Sequence, residues 1–286
     1  MNKSPEAHNG SMTSWTDVPT RTLSAGGVKF AYRQLGPDTG VPVVFLTHLA
    51  AVLDNWDPRV VDGIAAQHPV ITFDNRGVGA STGSTPATIQ EMARDAVTFI
   101  RALGLDQVDL FGFSMGGMIG QVIAQQEPQL VRKIILAGTG PAGGQGIDKV
   151  TRITYLDTAR ALLTRQDPKQ FLFFTRTPNG RRAGKEFLAR LQERTSDRDK
   201  AISVGSFRAQ LKAIHRWGRQ KPADLASIHQ PVLAMNGESD KMVPSTNTVD
   251  LGRRLPDSQL VLYPDAGHGG VFQFHEDFVK QALEFL

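Results

Sequence analysis

The 286-residue chain contains no cysteine, and that absence excludes disulfide bonds, thiolate nucleophiles and cysteine-ligated metal centres. It also lacks any apolar window approaching the length of a bilayer span, so no membrane span is expected. Residues 1–18 are rich in Ser, Thr, Asn and Pro and hold no apolar block, which argues against a secretory signal and for a frayed, solvated leader. No nucleic-acid-binding module is present, and the aromatics of the most basic region sit in apolar clusters instead of beside basic runs. These absences predict a cytoplasmic protein without a nucleic-acid partner.

What is present is enough apolar material for a large core: 40% of residues are hydrophobic, sufficient for one domain or one domain with an insertion. Val28-Lys29-Phe30-Ala31-Tyr32-Arg33 alternates weakly, as an exposed antiparallel strand does. Val43-Val44-Phe45-Leu46 and Val70-Ile71-Thr72-Phe73 are instead the continuous apolar runs of strands buried on both faces. Further strands are predicted at 108–111, 133–137, 231–235 and 259–263, with helices at 56–67, 89–103 and 272–286. The alternation predicts an α/β protein with a doubly wound, mostly parallel sheet, whose sites gather at the carboxyl ends of the strands.

Residues 139–228 break that alternation with helical stretches such as 153–163 and 207–217, and read as a helical lid inserted over the strand ends. The domains are therefore a leader at 1–18, a core at 19–138 and 229–286, and the lid between them. That lid carries 18 Lys and Arg against eight Asp and Glu, a net +10 in a chain of overall charge +4, which leaves the remainder at −6. Such a surface either steers anionic substrates and docks on acidic partners, or is the solvated outer face of helices.

Gly112-Phe113-Ser114-Met115-Gly116-Gly117 carries the chemistry. It follows an apolar strand and leads into an apolar-periodic helix, so Ser114 falls on a tight strand-to-helix turn. A serine is a poor nucleophile unless held near a base and near donors for the developing oxyanion, and this turn presents it that way. Downstream, Asp240 closes Gly237-Glu238-Ser239-Asp240, and His268 lies in Ala266-Gly267-His268-Gly269. With His48 at the end of a buried strand and Asp74-Asn75-Arg76-Gly77-Val78-Gly79 after the next, the set resembles the α/β-hydrolase superfamily over roughly residues 28–286. The Ser, Asp, His order along the chain is that fold's order.

The resemblance implies an α/β-hydrolase fold with Ser114 as nucleophile, His268 as general base and acid, and Asp240 orienting the imidazole. Glu238 is the competing acid. No metal and no organic cofactor are implied. The oxyanion hole is expected from the Met115 N–H and a second N–H in His48-Leu49-Ala50-Ala51, which the family's pattern places at Ala50; Leu49, standing where that pattern has glycine, leaves the two residues as alternatives. His48 itself is read as scaffolding of that loop. His8, His68, His215, His229 and His275 are read as surface or structural, and Asp74, Arg76, Gly77 and Gly79 as holding their own loop.

For substrate, Leu49, Trp56, Met118, Tyr155, Phe174 and Trp217 are the candidate pocket residues, and they suit a largely apolar small-molecule ester or lactone. Serine in place of aspartate at the nucleophile position excludes epoxide and haloalkane chemistry. The expected activity is hydrolysis of carboxylic esters or lactones through an acyl-enzyme. A cofactor-free perhydrolase or haloperoxidase-like activity and a carbon–carbon bond hydrolase share the same triad, and a ligand receptor with a retained triad is the alternative outside catalysis.

Overall fold

The computed structural model describes residues 13–286. The chain enters the sheet through a hairpin, β1 (Arg21–Ala25) and β2 (Val28–Leu35), turned at Gly26 and Gly27. The apolar runs then supply β3 (Val43–Leu46), β4 (Val70–Phe73), β5 (Val108–Phe113), β6 (Val131–Ala137), β7 (Val232–Gly237) and β8 (Ser258–Tyr263). Their order in the sheet is β1-β2-β4-β3-β5-β6-β7-β8, with β2 antiparallel to β4 and every pairing from β4 to β8 parallel. Central β5 pairs Phe111 with Phe45 of β3 on one side and with Ile135 of β6 on the other.

Because successive side chains point to opposite faces, each buried strand feeds two cores. Val44 and Leu46 pack with Ile119 and Ile123 of α3 (Met115–Gln126) and with Phe99 and Ile100 of α2 (Ile89–Ala102). Val43 and Phe45 pack on the other face with Val60, Val61 and Ile64 of α1 (Pro58–Ala65) and with Phe278 of the last helix. The helix predicted over 272–286 is two helices, a short one at Gly270–Gln273 and the last at His275–Phe285, separated at Phe274, whose backbone leaves helical angles while its ring stacks on Tyr263.

Between β6 and β7 run α4 (Val150–Thr164), α5 (Pro168–Phe173), α6 (Pro178–Arg190) and α7 (Val204–Gly218), and α8 (Thr246–Arg254) follows β7; in that numbering the last two helices are α9 and α10. Aspartate or hydroxyl side chains cap three of the inserted helices: Asp167 for α5, Thr177 for α6 and Ser203 for α7. Not all of the segment's positive charge is outer-face decoration. Arg190 forks onto the buried Asp57 at 2.7 Å, and Arg194, itself buried, donates to the carbonyls of Trp15, Thr16 and Val18.

Those last contacts correct the expected leader. From Ser14 onward the chain is docked: Trp15 and Val18 are buried, the Trp15 N–H donates to Asp62, and the Arg33 guanidinium lies over the indole. An isolated tryptophan and valine in a polar stretch gave no periodic signal, yet burying an indole supplies enough apolar contact to order so short a segment. The first part of the expected leader, with His8, lies outside the described residues. Among the described residues no helix is long and apolar enough to cross a membrane.

Candidate active site

Ser114 sits between β5 and α3 at φ 56° and ψ −115°, a left-handed backbone that a residue with a Cβ adopts only under constraint. The constraint is packing. A Cβ on Gly112 would come within 2.6 Å of the Gly116 carbonyl, and one on Gly116 would run into the Leu46 carbonyl, so glycine at both positions lets α3 close onto β3 and β5. The Ser114 N–H donates to the Ala137 carbonyl of β6 at 2.8 Å, pinning the turn.

The Ser114 hydroxyl meets His268 Nε2 at 2.9 Å, and His268 Nδ1 meets Asp240 Oδ2 at 2.7 Å. Asp240 is buried, and its other carboxylate oxygen accepts the N–H groups of Met242 (2.7 Å) and Val243 (3.0 Å), so the carboxylate is aimed from both ends. Glu238 is exposed, and the carboxylate that meets His268 Nδ1 is that of Asp240. His268 is buried against the rings of Phe113 and Phe173, with centroids 5.0 and 5.5 Å away. Its loop is held from the inserted segment: the Gly269 N–H donates to the Phe173 carbonyl at the end of α5, at 2.8 Å.

The loop after β3 departs from expectation. Ala50 has φ 64°, and its N–H, expected to be the second oxyanion donor, is donated to the side-chain carbonyl of Gln210 at 2.8 Å. Gln210 comes from α7 and is fully buried, so its carbonyl has no solvent to turn to and takes the nearest backbone donor. Met115 lies where expected, at the first turn of α3. His48 is buried between Phe113 and Phe173, its ring edge-on to both. Its Nδ1 meets the Leu49 carbonyl at 2.9 Å, and burial pushes its pKa down to about 3, so the ring is neutral.

A cavity of about 30 Å³ lies beside Ser114 and His268, walled by Leu49, Met118, Val150, Leu172, Phe173, Ile214, Met242 and Val243 as well as His48. Of the six predicted pocket residues, Leu49 and Met118 line it and four do not. Trp56 is a core residue packed against Phe45 and Phe111, because the helix begins after it, capped by Asp57. Phe174 is buried against Phe173 and Phe187, and Trp217 is buried with its indole N–H on the Gly140 carbonyl. Tyr155 is half exposed, packs on Phe207 and faces an outer groove between α4 and α7. Val150 and Ile214, which do line the cavity, have the ordinary helical spacing of any apolar face, so no local signal separates them from core.

Outside the cavity, Asp74 accepts the N–H groups of Leu53 (3.0 Å) and Ala80 (3.4 Å), and Arg76 pairs with Asp95 at 2.8 Å. Gly77 and Gly79 are left-handed, so this stretch does hold its own loop. Larger clefts of about 570 and 520 Å³ contain none of Ser114, Asp240 or His268. Among the described residues no three His, Asp or Glu side chains are grouped to hold a metal ion.

A mostly parallel sheet with a strained serine elbow, a histidine after its last strand and an acid after the strand before it defines an α/β hydrolase. Residues 41–274 match the family described as alpha/beta hydrolase fold, and the chain belongs to that family, an enzyme superfamily. A solved α/β-hydrolase fold protein from Chitinophaga pinensis is 39% identical with a TM-score of 0.90, over 95% of this chain and 98% of that one. Two relatives are more distant. One from Mycobacterium tuberculosis, named "Putative non-heme bromoperoxidase BpoC", is 28% identical over 91% of this chain and 98% of its own. One from Agrobacterium fabrum, named "Putative carbamate hydrolase RutD", is 26% identical over 87% of this chain and 94% of its own.

Proposed function

We propose that the protein is a serine hydrolase of small carboxylic esters or lactones working through an acyl-enzyme. The observation that carries this reading is the continuous hydrogen-bonded series from the Ser114 hydroxyl through His268 to Asp240, at 2.9 and 2.7 Å, with both partners of the serine buried.

In the acylation step His268 Nε2 takes the proton as the Ser114 oxygen attacks the carbonyl, then delivers it to the leaving oxygen. Asp240 keeps the Nδ1 proton on the far side of the ring and stabilises the imidazolium. The Met115 N–H, at a helix N-terminus, stabilises the tetrahedral oxyanion. A second donor comes from the loop after β3: Leu49 as the loop stands, or Ala50 once Gln210 releases its N–H. Water then repeats the sequence with roles reversed. The cavity is small and apolar apart from the reacting groups and His48, so its bound portion is a short acyl group, and a larger substrate requires α4, α5 and α7 to move off the strand ends.

The test is the initial rate on p-nitrophenyl esters of increasing acyl length, with Ser114→Ala purified alongside. Hydrolysis fastest for short chains and lost in Ser114→Ala is expected; undiminished rates in Ser114→Ala overturn the assignment. The bromoperoxidase name of the 28%-identical relative supports one second reading, in which hydrogen peroxide replaces water at the acyl-enzyme. Bromide oxidation in acetate with peroxide, lost in Ser114→Ala, is its test.

A further inference from the structure

His48 has a buried ring nitrogen that no other group among the described residues uses. The Leu49 carbonyl beside Nδ1 can only accept, so Nδ1 carries the ring's one proton and Nε2 is a bare lone pair. Among the described residues no donor reaches that Nε2, although His48, 3% exposed, lines the same cavity as Ser114 and His268. An unmet acceptor in such surroundings loses the hydrogen bond that water gives it in the unfolded chain, and native proteins leave few of them. The ring cannot rotate to improve matters: Phe113 and Phe173 hold it edge-on, with centroids 5.3 and 5.1 Å away. Every other wall of the cavity apart from the reacting pair is apolar or aromatic.

We infer that His48 Nε2 is a specificity-determining acceptor, which selects substrates carrying an N–H or O–H donor on the carbon next to the scissile carbonyl. This rests on the serine hydrolase reading and narrows it: the substrate class becomes α-acylamino or α-hydroxy esters and lactones. A plain acyl chain of the same size leaves the lone pair unmet in a cavity that the chain has emptied of water. A donor-bearing one fills it, and sites that hydrogen-bond a substrate group reject analogues lacking it far more strongly than apolar pockets reject a methylene. His48 takes no proton from the substrate and forms no bond to it; the triad chemistry is unchanged.

The experiment compares kcat/KM for two matched pairs of aryl esters. One is p-nitrophenyl N-acetylglycinate and p-nitrophenyl acetoxyacetate, which differ by N–H against O; the other is p-nitrophenyl glycolate and methoxyacetate. Each rate is corrected for its uncatalysed background, and both pairs are run on the parent, His48→Phe and His48→Gln. The parent is expected to favour the donor-bearing member of at least one pair by about tenfold or more, the pair showing whether the donor is N–H or O–H. His48→Phe brings that ratio towards one, and His48→Gln, whose amide oxygen still accepts, restores part of it. A ratio near one for both pairs in the parent overturns the proposal without any variant. So does a ratio unchanged in both variants, even where both esters slow equally, since that marks a purely structural ring. If no ester turns over, the hydrolase reading fails separately, and His48 is read by binding of N-acetylglycine methyl ester and methyl acetoxyacetate to Ser114→Ala. Tighter binding of the amide by about tenfold, lost in Ser114→Ala/His48→Phe, upholds the acceptor role; equal binding ends it.

Discussion

Ser114 holds a conformation at odds with its own side chain, and this separates its contribution to stability from its contribution to chemistry. At φ 56° a Cβ is strained, at a cost of about 1–3 kcal/mol. Ser114→Gly is therefore expected to unfold at higher urea than Ser114→Ala, by about 1 kcal/mol, while both lose turnover by several orders of magnitude. Equal stability of the two would show that the elbow carries no strain. Asp240→Asn is expected to keep the fold and lose roughly 10⁴ in kcat, because the amide favours the wrong tautomer of His268; Glu238→Gln, on an exposed side chain, is expected to match the parent in the same assay. At this scale the sequence is readable where spacing and residue type coincide, as at Ser114, Asp240 and His268. The Ala50 N–H and the His48 lone pair were not legible, since each depends on which side chain the fold carries to it: Gln210 in one case, none in the other.

Among the elements, the strand–elbow–helix unit was the clearest in the sequence because its glycines have no substitute. Gly116 approaches the Leu46 backbone more closely than any Cβ permits, so Gly116→Ala must push α3 away from β3. We expect a loss of about 3 kcal/mol or more by urea titration, with hydrolytic activity falling alongside as Ser114 shifts from His268. A stability change below 1 kcal/mol would mean that the helix end yields without cost. The buried strands were equally plain, as unbroken apolar runs. β1 was not, since it lies at the sheet edge with most of its residues exposed and only Leu23 and Ala25 to mark its inner face, too few for a strand signal. α5 is one and a half turns long, and α6 is predominantly polar with Phe187 as its one fully buried large side chain, so neither offers an apolar stripe.

In the molecule as a whole, two buried titratable groups pull the dependence of stability on pH in opposite directions. His48 is neutral when folded, its pKa pushed from 6.5 to about 3 by burial, whereas the unfolded chain takes up a proton below 6.5. The folded state therefore loses ground as pH falls from 6.5 towards 3, by about 3 kcal/mol at pH 4.5 from this group alone. Asp74 acts on the other side. Burial, with the Asp199 carboxylate brought up against it from the loop before α7, holds its pKa well above 3.8. A Cβ on Gly79 would touch an oxygen of each carboxylate, which shows how close the two are where the loop after β4 meets the inserted segment. The folded state keeps a proton that the unfolded chain surrenders above 3.8, so this contribution is complete at acid pH and is lost as pH rises through the folded pKa. Urea midpoints at pH 4.5, 6.5 and 8.5 are expected to show His48→Gln flattening the acid limb. Asp199→Asn, which removes the like charge while leaving its backbone N–H on Asp54, is expected to flatten the alkaline limb and to gain most over the parent at pH 8.5. A gain that is the same at all three pH values would place the effect of Asp199 in packing and not in its charge.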